Sequence, residues 1–294
     1  MMKKIFVTGG TGFIGTAVVN ALMKQQQYEI YVLTRQKKND KGRLHYIQGA
    51  ISDEMGLKTA IKNIKPEILV HLAWNVKEAD YMASFENCQW VEWSKVLAKV
   101  FLENGGKVII GSGTCLEYEL SACSKLKENM PAIPKTLYGE SKLAAYTELK
   151  SLCIQYKARF VWGRIFYPYG PGEEDRKLIT SVRKSLLANK KFICRTPNNR
   201  VDYIHIDDVA EIFTVFVGHI EAAGIINICT GQGHTIRDIL MTVARQVDKT
   251  GYLECQPNEG QVCIVGEIQK LNALKFKHKY SLLDGLKTYE GVCF

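Results

Sequence analysis

Short runs of β-branched and aliphatic residues recur through the first two-thirds of the chain: KKIFVT, EIYVLT, RLHYI, EILVHLA, GKVIIG and ARFVWGRI. They are apolar at nearly every position rather than at alternate ones, which suits strands covered on both faces. Between them lie amphipathic stretches of helical length, at 13–24, 54–64, 86–104 and 140–156. Strand, helix and strand repeated in this way predict right-handed crossovers and a doubly wound parallel sheet with helices on both sides. Beyond residue 166 the pattern loosens. YPYGPGEED is turn-rich, a helix is expected near 174–189, and VDYIHI reads as a strand. Asp207 or Asp208 is the expected N-cap of the next helix. IINICTG reads as a further buried strand, and a smaller mixed region runs on to Phe294.

Composition leaves this picture of a globular protein intact: 294 residues, 46% hydrophobic, 23% charged, mean hydropathy −0.11. Such a length accommodates one large core or two smaller ones. No apolar run approaches the ~20 residues needed to span a bilayer. The amino end, MMKKIFVTGG, runs straight into a strand and a glycine turn rather than a cleavage site, so a cytoplasmic protein without a membrane partner is expected. Nine cysteines lie between Cys88 and Cys293, with no C-x-x-C pair and no histidine cluster beside them. That predicts reduced, mostly buried thiols and no metal site. The net charge of +9 is concentrated in places, notably RQKKNDKGR from Arg35 to Arg43. Such a run can be a solvated loop, a nucleic-acid contact or a seat for a phosphorylated small molecule. Without interleaved aromatics or a nucleic-acid signature, the small-molecule phosphate is the preferred specific reading and no nucleic-acid partner is expected.

VTGGTGFIG places Gly9, Gly12 and Gly15 three apart, between the first strand and the first helix. Glycine there permits a positive φ and lets a pyrophosphate approach backbone N–H groups. Strand, glycine turn and helix at the start of the sheet point to a dinucleotide and make the expected sheet Rossmann-type. The expected division is a Rossmann domain at 1–165 plus about 203–231. A smaller mixed α/β substrate domain is expected at about 166–202 and 232–294. The second strand ends in Thr34-Arg35, where an NAD site usually has an acid for the ribose hydroxyls. A guanidinium clamps a phosphate through parallel hydrogen bonds, so NADP is expected in preference to NAD.

TLYGESK sets Tyr138 and Lys142 four apart, on one face at the start of a helix. A phenol with its unperturbed pKa of about 10 exchanges protons poorly near neutrality. A neighbouring ammonium is expected to stabilise the phenolate and bring that value down. An ordinary helix with a buried tyrosine and a snorkelling lysine would share this spacing.

The ordered motifs GGTGFIG, HLAW, SGTCLEY, YGESK, RIFYPYGPG and VDYIHIDDVA, from residue 4 to about 235, resemble the extended short-chain dehydrogenases/reductases. This is the nucleotide-sugar epimerase/dehydratase group. The resemblance implies that Thr114 is the catalytic hydroxyl, Tyr138 the acid/base, and Lys142 the residue that also holds the nicotinamide ribose. It further implies that Gly9, Gly12, Phe13, Ile14, Gly15, Arg35, Leu72, Ala73, Asn87, Tyr138 and Lys142 belong to the cofactor site. Asn87 matches an asparagine that positions the lysine through water in many members. Thr114, Tyr167 and Arg200 fall on substrate-binding positions.

Departures from the pattern narrow the reading. Members that eliminate water carry an Asp-Glu pair directly after the hydroxyl, and here those positions are Cys115 and Leu116. Glu117 comes one place late and, in an extended segment, would face away from Leu116. Ala50 stands where an aspartate commonly contacts adenine, and Tyr167 where an asparagine touches the sugar diphosphate. Val201 occupies the usual diphosphate-arginine position, with Arg200 one earlier and therefore on the other face of a strand. His205 and Asp207 read as strand end and helix cap rather than as a catalytic pair. The resemblance thus implies an NADP-dependent reductase of a nucleotide-activated 4-keto-6-deoxy sugar, with hydride from nicotinamide and a proton from Tyr138. The alternatives are a nucleotide-sugar epimerase with tightly bound NAD, or a cofactor-sensing scaffold without chemistry. Family members often pair through two helices, so a homodimer is an assembly the resemblance allows, although no seam is legible.

Overall fold

The computed structural model describes residues 2–76, 80–120, 125–256 and 261–290. The chain forms two compact units: one of Met1–Glu119, Pro131–Ile165 and Ala210–Ile226, the other of Leu120–Met130, Phe166–Val209 and Asn227–Phe294. Residues 120–130, 203–209 and 227–231 fall in the second unit rather than in the Rossmann domain that the sequence pattern outlined.

The first unit contains strands β1 (Lys3–Thr8), β2 (Tyr28–Thr34), β3 (Leu44–Gln48), β4 (Ile68–His71), β5 (Val108–Thr114) and β6 (Arg159–Ile165). Helices α1 (Phe13–Met23), α2 (Glu54–Ile64), α3 (Glu86–Glu103) and α4 (Leu137–Gln155) connect them. The seven-stranded sheet runs in the order Gly224–Ile228, β6, β5, β4, β1, β2, β3. Every pairing among β1–β6 is parallel. This is the Rossmann-type sheet that the near-continuous apolar runs predict, and β4 is buried at all of its positions. The order reverses between β1 and β4, the place where open α/β sheets take their ligands.

Local chemistry sets the element ends that matter. A Cβ on Gly111 would meet Trp162 Cε3 at 2.5 Å, and one on Gly113 would run into Trp162 Nε1 and Glu117 Oε1. The small residues of β5 therefore make room for the indole on β6. The chain after β5 is not extended: Cys115–Glu117 forms a 3₁₀ turn capped by Thr114. Helix α4 starts at Leu137, three residues before the predicted start, because the Thr136 hydroxyl accepts from the Gly139 N–H at 3.1 Å.

In the second unit, Tyr203–His205 pairs in parallel with Tyr167–Tyr169, and Arg200–Val201 lies between His234–Thr235 and Cys263–Ile264. VDYIHI is thus divided at Asp202, whose buried carboxylate accepts N–H groups of Thr230, Gly231 and Gly266. The helix expected near 174–189 spans Leu178–Leu187. Asp207 and Asp208 are first-turn residues of the helix Ile206–Gly218, not its N-cap. His205 Nδ1 accepts the Asp207 N–H at 3.2 Å, while Asp208 accepts those of Lys279 and Tyr280. None of the seven cysteines among the described residues is in a disulfide, and four of them are buried; Cys123 and Cys293 lie outside the described residues. Among the described residues no cluster of metal-ligating side chains occurs, and no helix is long and apolar enough to cross a membrane.

Candidate active site

Gly9 adopts φ +72°, which its missing side chain permits, and a Cβ there would meet Ala73 N at 2.6 Å. A Cβ on Gly15 would strike the Gly9 carbonyl oxygen. Gly12, the N-cap of α1, makes no side-chain cap, and a Cβ on it would touch only Gly9 O at 3.4 Å. Backbone and helix N-terminus are therefore laid bare between β1 and α1, a cradle suited to a pyrophosphate. Phe13 and Ile14 form the first turn of α1, and Leu72 and Ala73 follow β4 against the Gly9 turn. Arg35 is exposed just after β2, as are Lys37 and Lys38.

A hydrogen-bond chain ties β1, β4 and α3 together behind this turn. His71 is buried, with Nδ1 2.6 Å from Thr8 Oγ1 and Nε2 2.8 Å from Ser94 Oγ. Ser94 donates its proton to the Trp90 carbonyl, so the network assigns the His71 proton to Nε2. Burial first, and the Lys142 charge second, push the His71 imidazole down to about 3, which keeps it neutral. Its histidine stands in the HLAW motif, yet only the partners, 63 and 23 residues away, reveal its task.

Thr114, Tyr138 and Lys142 come together in the first unit, and all three are buried. The Thr114 hydroxyl is close enough to the Tyr138 phenol to act on its titration. Lys142 Nζ donates to the Ser112 carbonyl at 2.9 Å and lies 5.9 Å from the Tyr138 ring centroid. The electrostatics differ from the expectation of a lowered phenol. Burial pushes the Tyr138 phenol up, helped by Tyr81, Glu117 and Cys115, with the Thr114 hydroxyl working against it. Burial also pulls the Lys142 ammonium down to about 7, with Glu117 opposing. Desolvation disfavours both charged forms, so at neutral pH the phenol keeps its proton.

Glu117 is fully buried. Its carboxylate accepts the Thr114 N–H at 2.8 Å, the Trp162 Nε1–H at 3.0 Å and the Arg164 Nε–H at 2.7 Å. The face-reversal expected of an extended segment does not apply, because the 3₁₀ turn folds this side chain into an ion pair with Arg164. Asn87 Oδ1 accepts from Trp74 Nε1 at 2.8 Å and its Nδ2 donates to the carbonyls of Tyr81 and Ser84. Trp74, Arg164, Trp162 and Ser112 are neighbours that sequence spacing alone did not single out.

Two predicted substrate residues belong to the second unit. Tyr167 packs on Tyr203 with ring centroids 5.4 Å apart. Arg200 is exposed and donates to the Gly233 carbonyl at 2.8 Å, whereas Val201 is buried. His205 packs 4.0 Å from the Tyr280 ring and lies 3.1 Å from Thr288 Oγ1, a structural setting for a strand end.

Sheet order, glycine turn and the Thr-Tyr-Lys cluster define a Rossmann-type enzyme fold of the extended short-chain dehydrogenase/reductase kind. The chain belongs to the NAD dependent epimerase/dehydratase family, whose profile matches residues 5–229. It is 27% identical to the UDP-glucose 4-epimerase of Halalkalibacterium halodurans, over 83% of this chain and 80% of that protein. It is 28% identical to the GDP-6-deoxy-D-mannose reductase of Pseudomonas aeruginosa, over 48% of each chain. The crystal structure of UDP-glucose 4-epimerase with UDP-glucose from Thermotoga maritima superposes with a TM-score of 0.84 at 23% identity, covering 97% of this chain and 96% of that one. That likeness shows the fold.

Proposed function

We propose that the protein is an NADP-dependent reductase that acts on the keto group of a nucleotide-activated 4-keto-6-deoxy sugar. The observation that carries this reading is the segment after Thr114. Cys115 and Leu116 offer no carboxylate, and Glu117 is withdrawn into its pair with Arg164, so no acid and base for elimination stand beside the hydroxyl. The bare glycine turn fits a dinucleotide pyrophosphate, and Arg35 with Lys37 and Lys38 suits a ribose 2′-phosphate. The cofactor, when bound, supplies the hydride equivalent. Thr114 orients the substrate carbonyl, and Tyr138, protonated at neutral pH, donates its proton to the oxygen. Lys142 supports both the tyrosine and the cofactor ribose. Tyr167 is the candidate for substrate contact in the second unit; Arg200, bonded to Gly233, is the weaker one.

The second reading is a nucleotide-sugar epimerase that keeps NAD bound, which uses the same tyrosine and lysine. The 27% identity with a UDP-glucose 4-epimerase favours it, whereas Arg35 in place of an acid disfavours it. Incubation with NADPH and a set of 4-keto-6-deoxy nucleotide sugars separates the two. The reductase consumes NADPH with at least one of them, and Tyr138→Phe lowers turnover by about 10²–10⁴ with cofactor binding nearly intact. Inversion or dehydration of a 4-hydroxy nucleotide sugar without net cofactor use would refute it.

A further inference from the structure

A buried ammonium needs something to hold its charge, and Lys142 has little. Among the described residues its Nζ makes one hydrogen bond, to the Ser112 carbonyl at 2.9 Å. Its other close neighbour is the face of Trp74, with the ring centroid 4.0 Å from Nζ. That separation is well inside cation–π range, and tryptophan is the strongest of the aromatic faces for such a contact. The indole is itself fastened. Its Nε1 donates to Asn87 Oδ1 at 2.8 Å, and the Asn87 amide is held by the carbonyls of Tyr81 at 2.6 Å and Ser84 at 2.8 Å. Trp90 stacks 5.9 Å away, and the Tyr138 ring meets Trp74 edge-on at 6.3 Å.

We propose that Trp74 is the positioning residue for Lys142: its indole face holds the ammonium against the Ser112 carbonyl, and Asn87 acts on the lysine through the indole. The activity readout of this proposal rests on Lys142 working as read above, whereas the contact itself does not. The titratable groups around Lys142 are Glu117 from the turn after β5, His71 from β4 and Tyr138 from its own helix. Glu117 favours the ammonium, and burial keeps His71 and Tyr138 neutral near pH 7. Burial pulls the lysine down to about 7, so loss of the aromatic face carries it lower still.

The test is an NMR titration of protein labelled with ¹³C at lysine Cε, with the Lys142 signal assigned by its absence in Lys142→Met. The native midpoint is expected near 7. Trp74→Leu removes the face and should weaken proton binding roughly tenfold or more, moving the midpoint down by about one pH unit. Trp74→Phe keeps a ring and should move it by less than half as much. Asn87→Ala should lower the midpoint in the native background and leave it unchanged in the Trp74→Phe background, which has no Nε1 to fasten. This pair of variants decides the matter if Trp74→Leu fails to fold. An unchanged midpoint in Trp74→Leu, or an equal effect of Asn87→Ala in both backgrounds, overturns the proposal. The pH profile of turnover should move with the NMR midpoint; if the midpoint moves and the profile does not, the role read for Lys142 falls while the contact stands.

Discussion

Three donors converge on the Glu117 carboxylate: the Thr114 backbone, the Trp162 indole and the Arg164 guanidinium. Through the first, this acid fixes the backbone that carries the Thr114 hydroxyl. The pair is not fully satisfied: among the described residues the buried Arg164 Nη1 finds no hydrogen-bond partner. A buried ion pair of this kind costs much to break and little to replace as a whole. Glu117→Ala, which strands the guanidinium, should destabilise the protein by about 3–5 kcal/mol. Glu117→Leu combined with Arg164→Met should recover the part of that loss owed to the stranded guanidinium, while the Thr114 and Trp162 N–H groups stay unpaired. Urea unfolding of both variants checks this, and a double variant no more stable than the single one would count against it. The tyrosine and lysine obey the same desolvation rule with opposite signs. Burial raises the phenol and lowers the ammonium to about 7, so near neutral pH the phenol keeps its proton while the lysine is divided between its two forms.

At the scale of elements, β5 shows how one strand meets two demands. Gly111 and Gly113 face Trp162 on β6, which leaves Thr114 at the strand end with its hydroxyl toward Tyr138. Gly113→Ala introduces a Cβ where Trp162 and Glu117 already lie, so it should cost about 1–3 kcal/mol through overpacking. Ser112→Ala, one residue along and on the other face, should change the unfolding midpoint little. Equal shifts in the two variants would show that the indole is not the constraint. The inner strands, β4 above all, were legible in the sequence because burial on both faces makes their runs nearly continuous in apolar residues, whereas the edge strand β3 is only partly buried. The strands of the second unit are two or three residues long and have no period to read. Asp202 breaks VDYIHI because donors from two later segments, Thr230–Gly231 and Gly266, hold its carboxylate, which local pattern does not encode. The site divides along the same line. Tyr138 and Lys142 are legible as a helical pair four apart, whereas Glu117 finds its guanidinium 47 residues away. Trp74 likewise reaches Lys142 from a different strand end, so the lysine's aromatic support is visible only in three dimensions.

For the molecule as a whole, the net charge of +9 has one place where it bears on the choice of cofactor. Arg35 is exposed directly after β2, on the side of the sheet that carries the glycine turn's neighbouring strand. Lys37 and Lys38 follow it, and Lys38 Nζ rests 5.6 Å from the Tyr46 ring centroid. A charge-assisted contact to a 2′-phosphate contributes about 1.5–3 kcal/mol, and its loss weakens binding roughly tenfold or more. A ligand that binds only the folded chain stabilises it by about 2.7 kcal/mol at a hundredfold excess over its dissociation constant. NADPH at that concentration should therefore raise the unfolding temperature of the native protein more than NADH does. In Arg35→Ala the NADPH stabilisation should fall by about 1.4 kcal/mol for each tenfold loss of affinity, and the NADH shift should stay nearly unchanged. Thermal unfolding followed at fixed cofactor concentration reads both quantities in one experiment. If NADH stabilises the native protein as much as NADPH does, the basic segment is an ordinary solvated loop and the NADP assignment falls. A native shift that favours NADPH but survives Arg35→Ala would move the phosphate contact to Lys37 or Lys38, which the corresponding alanine variants then resolve.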